Sequence, residues 1–362
     1  MGKLHGNEGK GKLYCAIDLH DKKMLCGMAG GTGKVKYVEF RTDDAGMRDL
    51  VGELSRRKGA SECSEVWVAY EASGAGFLLA DFIEGAGFRV SVIPPSHLPV
   101  SPKSRSNKTD RRDVKRIMDM LRGHDLAGGD LPEVHIADPE LRDDRELVRR
   151  RVRLGEEITD VKNKIHGLLK RNGFRKPEGM DNWTGEHLAC LKRTADSAGG
   201  NTCFALHGLI RELLFYEEEV RLADREMKSL SRSPRYARPF LAVTSIKGVG
   251  LQTAMVFLVE LGDLSRFPNR RCLASYLGLV PRCHESGERD DRKGHISRMG
   301  PSRVRKLLNQ AAWSMVGHDA YWREWFKSRT SNKEDRKRMI VAVMRRLAII
   351  MWHRGLAASE AS

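Results

Sequence analysis

The sequence lacks several features that would place the protein in a membrane or outside the cell. No apolar run reaches the roughly 20 residues that a membrane-spanning helix needs, and the start of the chain is rich in glycine and lysine, without the apolar core of a secretory signal. The seven cysteines are odd in number, scattered, and form no C-x-x-C pair. These absences argue against a disulfide framework and a zinc site, and they predict reduced thiols in an intracellular protein.

Acidic residues are too few to balance the basic ones. The 362-residue chain carries 64 lysines and arginines against 48 aspartates and glutamates, which gives a formal net charge of +16. Such an excess favours a polyanionic partner, above all nucleic acid. The length allows two or three domains with a sizeable core.

One short segment that contains both acidic and basic residues has the pattern of a metal-binding site. Asp110 and Asp113 stand three residues apart on what should be the first turn of a helix, so both carboxylates share one face. Solvated charges at a helix start would explain this pair as well. However, Lys108, Arg111 and Arg112 surround it. Basic residues around paired acids favour carboxylates that hold a divalent metal ion against a phosphate.

The N-terminal part has the pattern of a mixed α/β sheet. Apolar runs predict strands at 13–17, 23–29, 34–40, 66–70 and 89–93. Helical patterns lie at 47–57 and 76–86. A glycine-rich hairpin, followed by strands that alternate with helices, predicts mixed strand directions.

Two more acids end predicted strands. Asp18 closes the first strand and Glu71 closes the fourth. Ligands in open α/β sheets gather at the carboxyl ends of strands, and the helix that carries Asp110 and Asp113 can reach the same edge. Each acid alone also fits an ordinary turn. Together, in so basic a chain, four hard oxygen ligands predict a Mg²⁺ site, with Mn²⁺ as the alternative ion, that acts on a phosphodiester.

The order of these acids resembles the D-E-D-D arrangement of the RuvC-like branch of the ribonuclease H fold. A more specific likeness lies in three segments, AIDLH at 16–20, YEASG at 70–74 and KTDRRDV at 108–114. Together they resemble the DEDD transposases of insertion-sequence family 110. The resemblance implies that the catalytic metal ligands are Asp18, Glu71, Asp110 and Asp113.

Two apolar stripes at helical spacing follow. One spans 147–168 with heptad-like spacing and has Leu147 as its first member, and the other spans 206–230. The region 175–201 between them has an irregular pattern with a loop at 197–200. A coiled-coil arm, within the chain or between subunits, and a plain helical hairpin in one core explain the stripes equally well.

The segment SIKGVG at 245–250 precedes a helix rich in alanine and leucine. A G-V-G turn exposes backbone N–H groups at a helix N-terminus, where a phosphate can sit. Lys247, Gly248 and Gly250 are therefore predicted nucleic-acid contacts. The pattern resembles a helix-hairpin-helix element, and an ordinary tight turn explains it too.

A second set of motifs lies near the C-terminus. They are GLVP at 278–281, SG at 286–287 and ISRMG at 296–300, followed by a basic helix. This order resembles the C-terminal domain of the same transposase family, whose serine nucleophile maps to Ser286. Ser297 is the nearest rival and fits a cap of the following turn better.

No activating base for the serine is fixed by spacing. His284 and His295 stand nearby, although solvated loop histidines explain them better. Basic residues around the serine are predicted to bind nucleic acid, namely Arg282, Arg289, Arg292, Lys293 and Arg298.

The expected architecture is α/β plus α, in three parts. An RNase H-like (RuvC-like) mixed-sheet domain spans 13–128, a helical coiled-coil linker spans 129–236, and a small helical C-terminal domain with a helix-hairpin-helix-like element spans 237–355. The resemblance implies a DNA transposase or recombinase that cuts and rejoins the ends of a mobile element by phosphoryl transfer.

The same resemblance implies further partners. These are a structured guide RNA, a homodimer or homotetramer, and a cytoplasmic, nucleoid-associated place in a bacterium or archaeon, with no membrane partner. Two alternatives fit the composition: a RuvC-like metal-dependent DNA junction nuclease and a non-enzymatic nucleic-acid-binding protein.

Overall fold

The computed structural model of the protein describes residues 11–61, 63–74, 76–98, 110–281 and 295–360. The chain divides after Ile136 into two compact units. The first unit is built around a β-sheet, and the described part of the second is helical. None of the described helices is long and apolar enough to span a membrane.

A five-stranded sheet with the order β3-β2-β1-β4-β5 forms the centre of the first unit. Its strands are β1 Lys12–Leu19, β2 Lys23–Gly30, β3 Lys36–Arg41, β4 Glu65–Glu71 and β5 Arg89–Ile93. Strand β1 runs antiparallel to β2 and parallel to β4, while β2 and β3 are antiparallel and β4 and β5 parallel. The predicted mixed sheet is confirmed.

Helices cover both faces of this sheet, and they are α1 Asp44–Ala60, α2 Leu78–Gly85 and α3 Asp110–Ala127. Cys15 and Ile17 of β1 pack in the core that includes α1 and α2, whereas Tyr14 and Ala16 pack in the core that includes α3. This alternation follows from the two-residue period of a strand. Strands buried on both faces give continuous apolar runs, which is why the sequence predicted them.

The second unit contains nine described helices. They are α4 Pro139–Arg171, α5 Gly185–Ala198, α6 Gly200–Leu230, α7 Ala237–Thr244, α8 Leu251–Leu261, α9 Arg270–Tyr276, α10 Ser302–His318, α11 Ala320–Lys327 and α12 Lys333–Glu360. Helices α4 and α6 pack as an antiparallel pair. Val161 of α4 shares a core with Ile210 of α6 at one end, and Val148 shares another with Met227 at the other end.

The region 175–201 is not irregular as predicted, because it contains α5. Thr184 caps this helix by accepting a hydrogen bond from the His187 backbone N–H at 3.2 Å. Leu191 and Ala195 are buried in the core shared with α4 and α6. The expected loop at 197–200 is a sharp junction, because Gly199 with φ of 67° ends α5 directly before α6 begins.

The first apolar stripe is buried as predicted at Leu154, Val161 and Ile165, and it differs from the prediction only at its start. Val148 and Val152 are buried, whereas Leu147 is only partly buried against the same core. That core also contains Val243 of α7 and Met344 of α12. The second compact unit begins at Ala137 and includes residue 236, and the domain boundary at 236 stays a prediction.

Candidate metal centre

Two of the predicted acids lie at the carboxyl ends of neighbouring parallel strands. Ile17 of β1 lies opposite Tyr70 of β4, so Asp18 and Glu71 come next at the same level. Ala16 packs on the side of the sheet that α3 covers. Because side chains alternate along a strand, Asp18 and Glu71 belong to that same side.

The N-terminus of α3 supplies the other two acids. The helix begins at Asp110, and Asp110 and Asp113 are its first-turn acidic residues. Val114 and Ile117 are buried against the sheet. This packing holds the first turn in place, and the positive end of the helix dipole favours negative charge there.

His20 stands between acids from the two elements, and the sequence did not predict a role for it. Its Nε2 atom lies 3.1 Å from Oδ2 of Asp18 and 3.8 Å from Oδ1 of Asp110. The ligand atoms of Asp18, His20 and Asp110 all lie within 4.8 Å of one another. The signal was the spacing of Asp18 and His20, two residues apart at a strand end, where side chains share a face.

Asp113 has an oxygen available for a cation. The residue is 8% exposed, and its Oδ1 lies 2.9 Å from Nη2 of Arg116. Its Oδ2 is buried and has no hydrogen-bond partner among the described residues. A buried carboxylate oxygen without a donor is costly, and a bound cation would relieve that cost.

The electrostatics of Asp18 point the same way. Burial raises the pKa of Asp18, the nearby His20 lowers it, and the charges of Asp113 and Asp110 raise it further. The protein alone therefore compensates the negative charge of this carboxylate poorly.

The four predicted ligands lie at one edge of the sheet, but they do not all belong to the group of atoms close enough to share one ion. Asp18 and Asp110 share the 4.8 Å group with His20, and among the described residues Glu71 and Asp113 lie outside it. Like charges without a counterion repel one another, and Arg116 holds one oxygen of Asp113. Arg111 and Arg112 are exposed on the same helical turn, whereas Lys108 lies outside the described residues.

The second predicted site is described only at its base. Ser286, His284, Arg282, Arg289, Arg292 and Lys293 lie outside the described residues. The two ends of their segment are paired, because Pro281 bridges Ile296 and the Ser297 N–H donates to the Val280 carbonyl at 2.8 Å. Exposed Arg298 follows with φ of 55°.

Arg305 of α10 ties these two ends together. Its Nη1 donates to the carbonyl oxygens of Leu277, Met299 and Gly300 at 3.1, 2.9 and 3.0 Å. Leu277 precedes the segment, and the other two follow it. The base of the serine-bearing segment is therefore fixed to α10.

The predicted phosphate-binding turn joins α7 to α8. Lys247 is largely exposed, with its Nζ 3.7 Å from Oδ2 of Asp319. Gly248 has φ of 88° and packs against the backbone of α10, while Gly250 directly precedes α8. The turn therefore has a packing role, which leaves the simple tight-turn interpretation open beside phosphate binding.

Two family models match most of the chain. A DEDD transposase model of the IS110 type matches residues 15–173, and a model described as the IS116/IS110/IS902 transposase family matches residues 241–327. The first match contains the four acids, and the second contains the G-V-G turn and the segment of Ser286. These matches define the protein as a transposase.

Individual relatives agree with that class. A putative transposase of Sinorhizobium fredii is 29% identical over 84% of this chain and 72% of its own length. The transposase of insertion element IS1111A from Coxiella burnetii is 28% identical over 79% of this chain and 76% of its own. A pilin gene-inverting protein of Moraxella bovis is 32% identical over 30% of this chain and 34% of its own. The chain belongs to the IS110 family of transposases, which are DNA-processing enzymes.

A DEDD transposase implies a divalent metal ion. The residues at the carboxyl edge of the sheet fit such an ion, because their donor atoms are mainly hard carboxylate oxygens. The buried Oδ2 of Asp113, which lacks a donor within the described ranges, is suited to the same purpose.

Proposed function

We propose that this transposase cuts and rejoins DNA at the ends of a mobile element, with a Mg²⁺-dependent DEDD site on a RuvC-like domain and a serine nucleophile. The observation that carries the proposal is the approach of Asp18 and Asp110, from a strand end and a helix start, to within the reach of one ion. Gathered carboxylates repel one another unless a cation lies between them.

The residues that would hold the ion are Asp18, Glu71, Asp110 and Asp113. Mg²⁺ prefers such oxygen ligands, and Mn²⁺ can take its place. A bound divalent ion stabilises negative charge on a phosphodiester during displacement. The partly buried position of Asp18 and the free oxygen of Asp113 keep these carboxylates ready for a cation.

Ser286 would conserve the energy of the broken DNA bond. Its Oγ forms a bond to the scissile phosphorus while the phosphorus–oxygen bond of the DNA breaks, and the hydroxyl proton passes to the leaving oxygen. Attack by a hydroxyl of the new strand reverses these steps, so no external energy source is needed. Splitting the transfer in this way is the logic of covalent catalysis.

Basic side chains and the backbone N–H groups of the G-V-G turn would hold the DNA. The proposed contacts are Lys108, Arg111, Arg112, Lys247, Gly248, Gly250, Arg282, Arg289, Arg292, Lys293 and Arg298. The net charge of +16 supports phosphate binding of this kind.

A structured guide RNA and a dimer or tetramer complete the proposal, with sequence choice left to base pairing. Domains at 13–128, 129–236 and 237–355 would divide these tasks, and the protein would act in the cytoplasm. Purification from cells that carry the element, followed by sequencing of co-purified RNA, tests the guide. A single enriched structured RNA is expected, and a random RNA background would contradict it.

The covalent step is tested with labelled element-end DNA and Mg²⁺. We expect a protein–DNA adduct whose attachment maps to Ser286, and we expect its loss in Ser286→Ala and in Asp18→Asn. Asp160→Asn is a matched control, because Asp160 lies on α4 and pairs with Lys164 of the same helix.

Two results would overturn this assignment. An adduct that persists in Ser286→Ala, or maps to Ser297, would give the nucleophile to another residue. Unchanged cutting by Ser286→Ala without any adduct would indicate a metal-dependent nuclease.

A further inference from the structure

We infer that His20 is a nitrogen ligand of the divalent ion at the DEDD site, an inference that rests on the proposed function and adds a residue to it. The motif that places Asp18 at a strand end also places His20 two residues later, on the same side. The imidazole is the one nitrogen donor in the 4.8 Å group found among the described residues.

The two donor-atom separations that involve His20 suit one ion. Ligand atoms held about 2.1 Å from an octahedral ion lie about 3.0 Å apart when adjacent and about 4.2 Å apart when opposite. The Nε2 atom of His20 lies 3.1 Å from Oδ2 of Asp18 and 3.8 Å from Oδ1 of Asp110. Both separations lie between these two values. A hydrogen bond between His20 and Asp18 would explain the first separation but not the approach of Asp110.

The backbone of His20 is fixed. Its N–H donates to the Lys23 carbonyl at 3.0 Å, and its own carbonyl accepts from the Thr42 hydroxyl at 2.8 Å. These bonds join the β1–β2 turn to the end of β3. A ligand whose backbone is held loses less conformational freedom when an ion binds.

The side chain remains open enough to exchange partners. It is 46% exposed, and a lone pair on Nε2 requires only the tautomer with its proton on Nδ1. Asp113 of α3 lies outside the 4.8 Å group, but its buried Oδ2 has no hydrogen-bond partner within the described ranges and is therefore poorly compensated without a cation.

A nitrogen ligand changes which ion the site prefers. Imidazole suits transition metals, whereas Mg²⁺ favours oxygen. The wild-type site should therefore bind Mn²⁺ more tightly than Mg²⁺ by a margin that shrinks in His20→Gln, whose amide oxygen replaces the nitrogen. We expect Mn²⁺ affinity to fall about 10–100-fold, the range seen when the ligand environment of a bound metal is damaged.

The test uses Mn²⁺ alone with the full-length protein. Electron spin echo measurements should detect coupling between bound Mn²⁺ and an imidazole ¹⁴N nucleus in wild type. The coupling should vanish in His20→Ala and in His20→Gln while titration calorimetry still shows Mn²⁺ bound at higher concentration. His207→Ala is the matched control, because His207 lies 2.8 Å from Asp196 in an exposed pair on the second unit.

The outcomes separate this inference from the proposed function. Bound Mn²⁺ that is lost in Asp18→Asn, yet shows no ¹⁴N coupling in wild type, would leave the DEDD site standing and remove His20 from it. Coupling that persists in a folded His20→Ala, checked by circular dichroism, would assign the nitrogen to another residue. Failure of wild type to bind Mn²⁺ at all would overturn both.

Discussion

Gly300 links the serine-bearing segment to α10, and its replacement by alanine should destabilise the second unit. The residue has φ of 79°, a backbone conformation that side chains with a Cβ rarely adopt. A Cβ built on Gly300 would also collide with the carbonyl oxygen of Tyr276. The segment before Ser286 and the segment after it are packed together too closely at this point for a side chain.

The cost of Gly300→Ala can be worked from these contacts. The left-handed conformation costs about 1–2 kcal/mol for a residue other than glycine. Relief of the collision must move the Gly300 carbonyl, which accepts from Arg305 at 3.0 Å. A hydrogen bond from a charged donor contributes about 1.5–3 kcal/mol. We therefore expect a loss of about 2.5–5 kcal/mol, or at least about 5 °C in melting temperature for a unit of this size.

Tryptophan fluorescence during urea unfolding measures this loss, because five of the six tryptophans lie in the second unit and only Trp67 lies in the first. Gly317→Ala is the control, since Gly317 lies on α10 and a Cβ there would meet nothing within 4 Å. That change should be neutral or stabilise by up to about 1 kcal/mol. Equal stability of Gly300→Ala and wild type would refute the reasoning about the paired segment ends.

Three further measurements test the cap of α4, the metal site and the net positive charge. Asp138 caps α4 through the Leu141 N–H at 2.7 Å, and hydrogen bonds from Arg235 lower its pKa. Asp138→Ala should therefore lower the free energy of unfolding by about 0.5–2 kcal/mol at neutral pH. The stability that Asp138 contributes is present above the ordinary aspartate pKa and is lost as the pH falls through the lowered pKa of Asp138. The urea midpoints of the wild type and the variant should therefore converge in acid. Mn²⁺ at 100 times its Kd should stabilise the wild type by about 2.7 kcal/mol but should not stabilise Asp18→Asn. An equal shift in both melting curves would show that Mn²⁺ binds at another site. DNA affinity, measured by fluorescence anisotropy, should fall steeply as salt rises from about 50 to 200 mM, because phosphate neutralisation releases counterions. An affinity that does not change with salt would show that the positive charge does not serve DNA binding.

The strands of the sheet were predictable because each one has a hydrophobic pattern within its own few residues. Strands β1 and β4 are buried on both faces, so their residues form apolar runs that end at an acid. Parallel pairing then aligns Asp18 with Glu71, which is a property of strand topology rather than of individual contacts. The first turn of α3 was predictable for a similar reason, since Asp110 and Asp113 have helical spacing.

Other features depend on tertiary contacts that leave little trace in sequence. Helix α5 was missed because glycines and polar residues surround it, and its buried Leu191 and Ala195 face helices distant in the chain. His20 was missed because a histidine after a strand fits a solvated turn equally well until Asp110 is seen beside it. The role of Arg305 was hidden in the same way, since its acceptors are backbone carbonyls.

The central claim is that the carboxylates at the edge of the sheet hold a divalent ion. Anomalous diffraction at the manganese edge from crystals soaked in Mn²⁺ tests it most directly. The account predicts an anomalous peak within coordination distance, about 2.0–2.3 Å, of oxygens from Asp18 and Asp110. A peak at another site, or well-ordered carboxylates without any peak at saturating Mn²⁺, would contradict it.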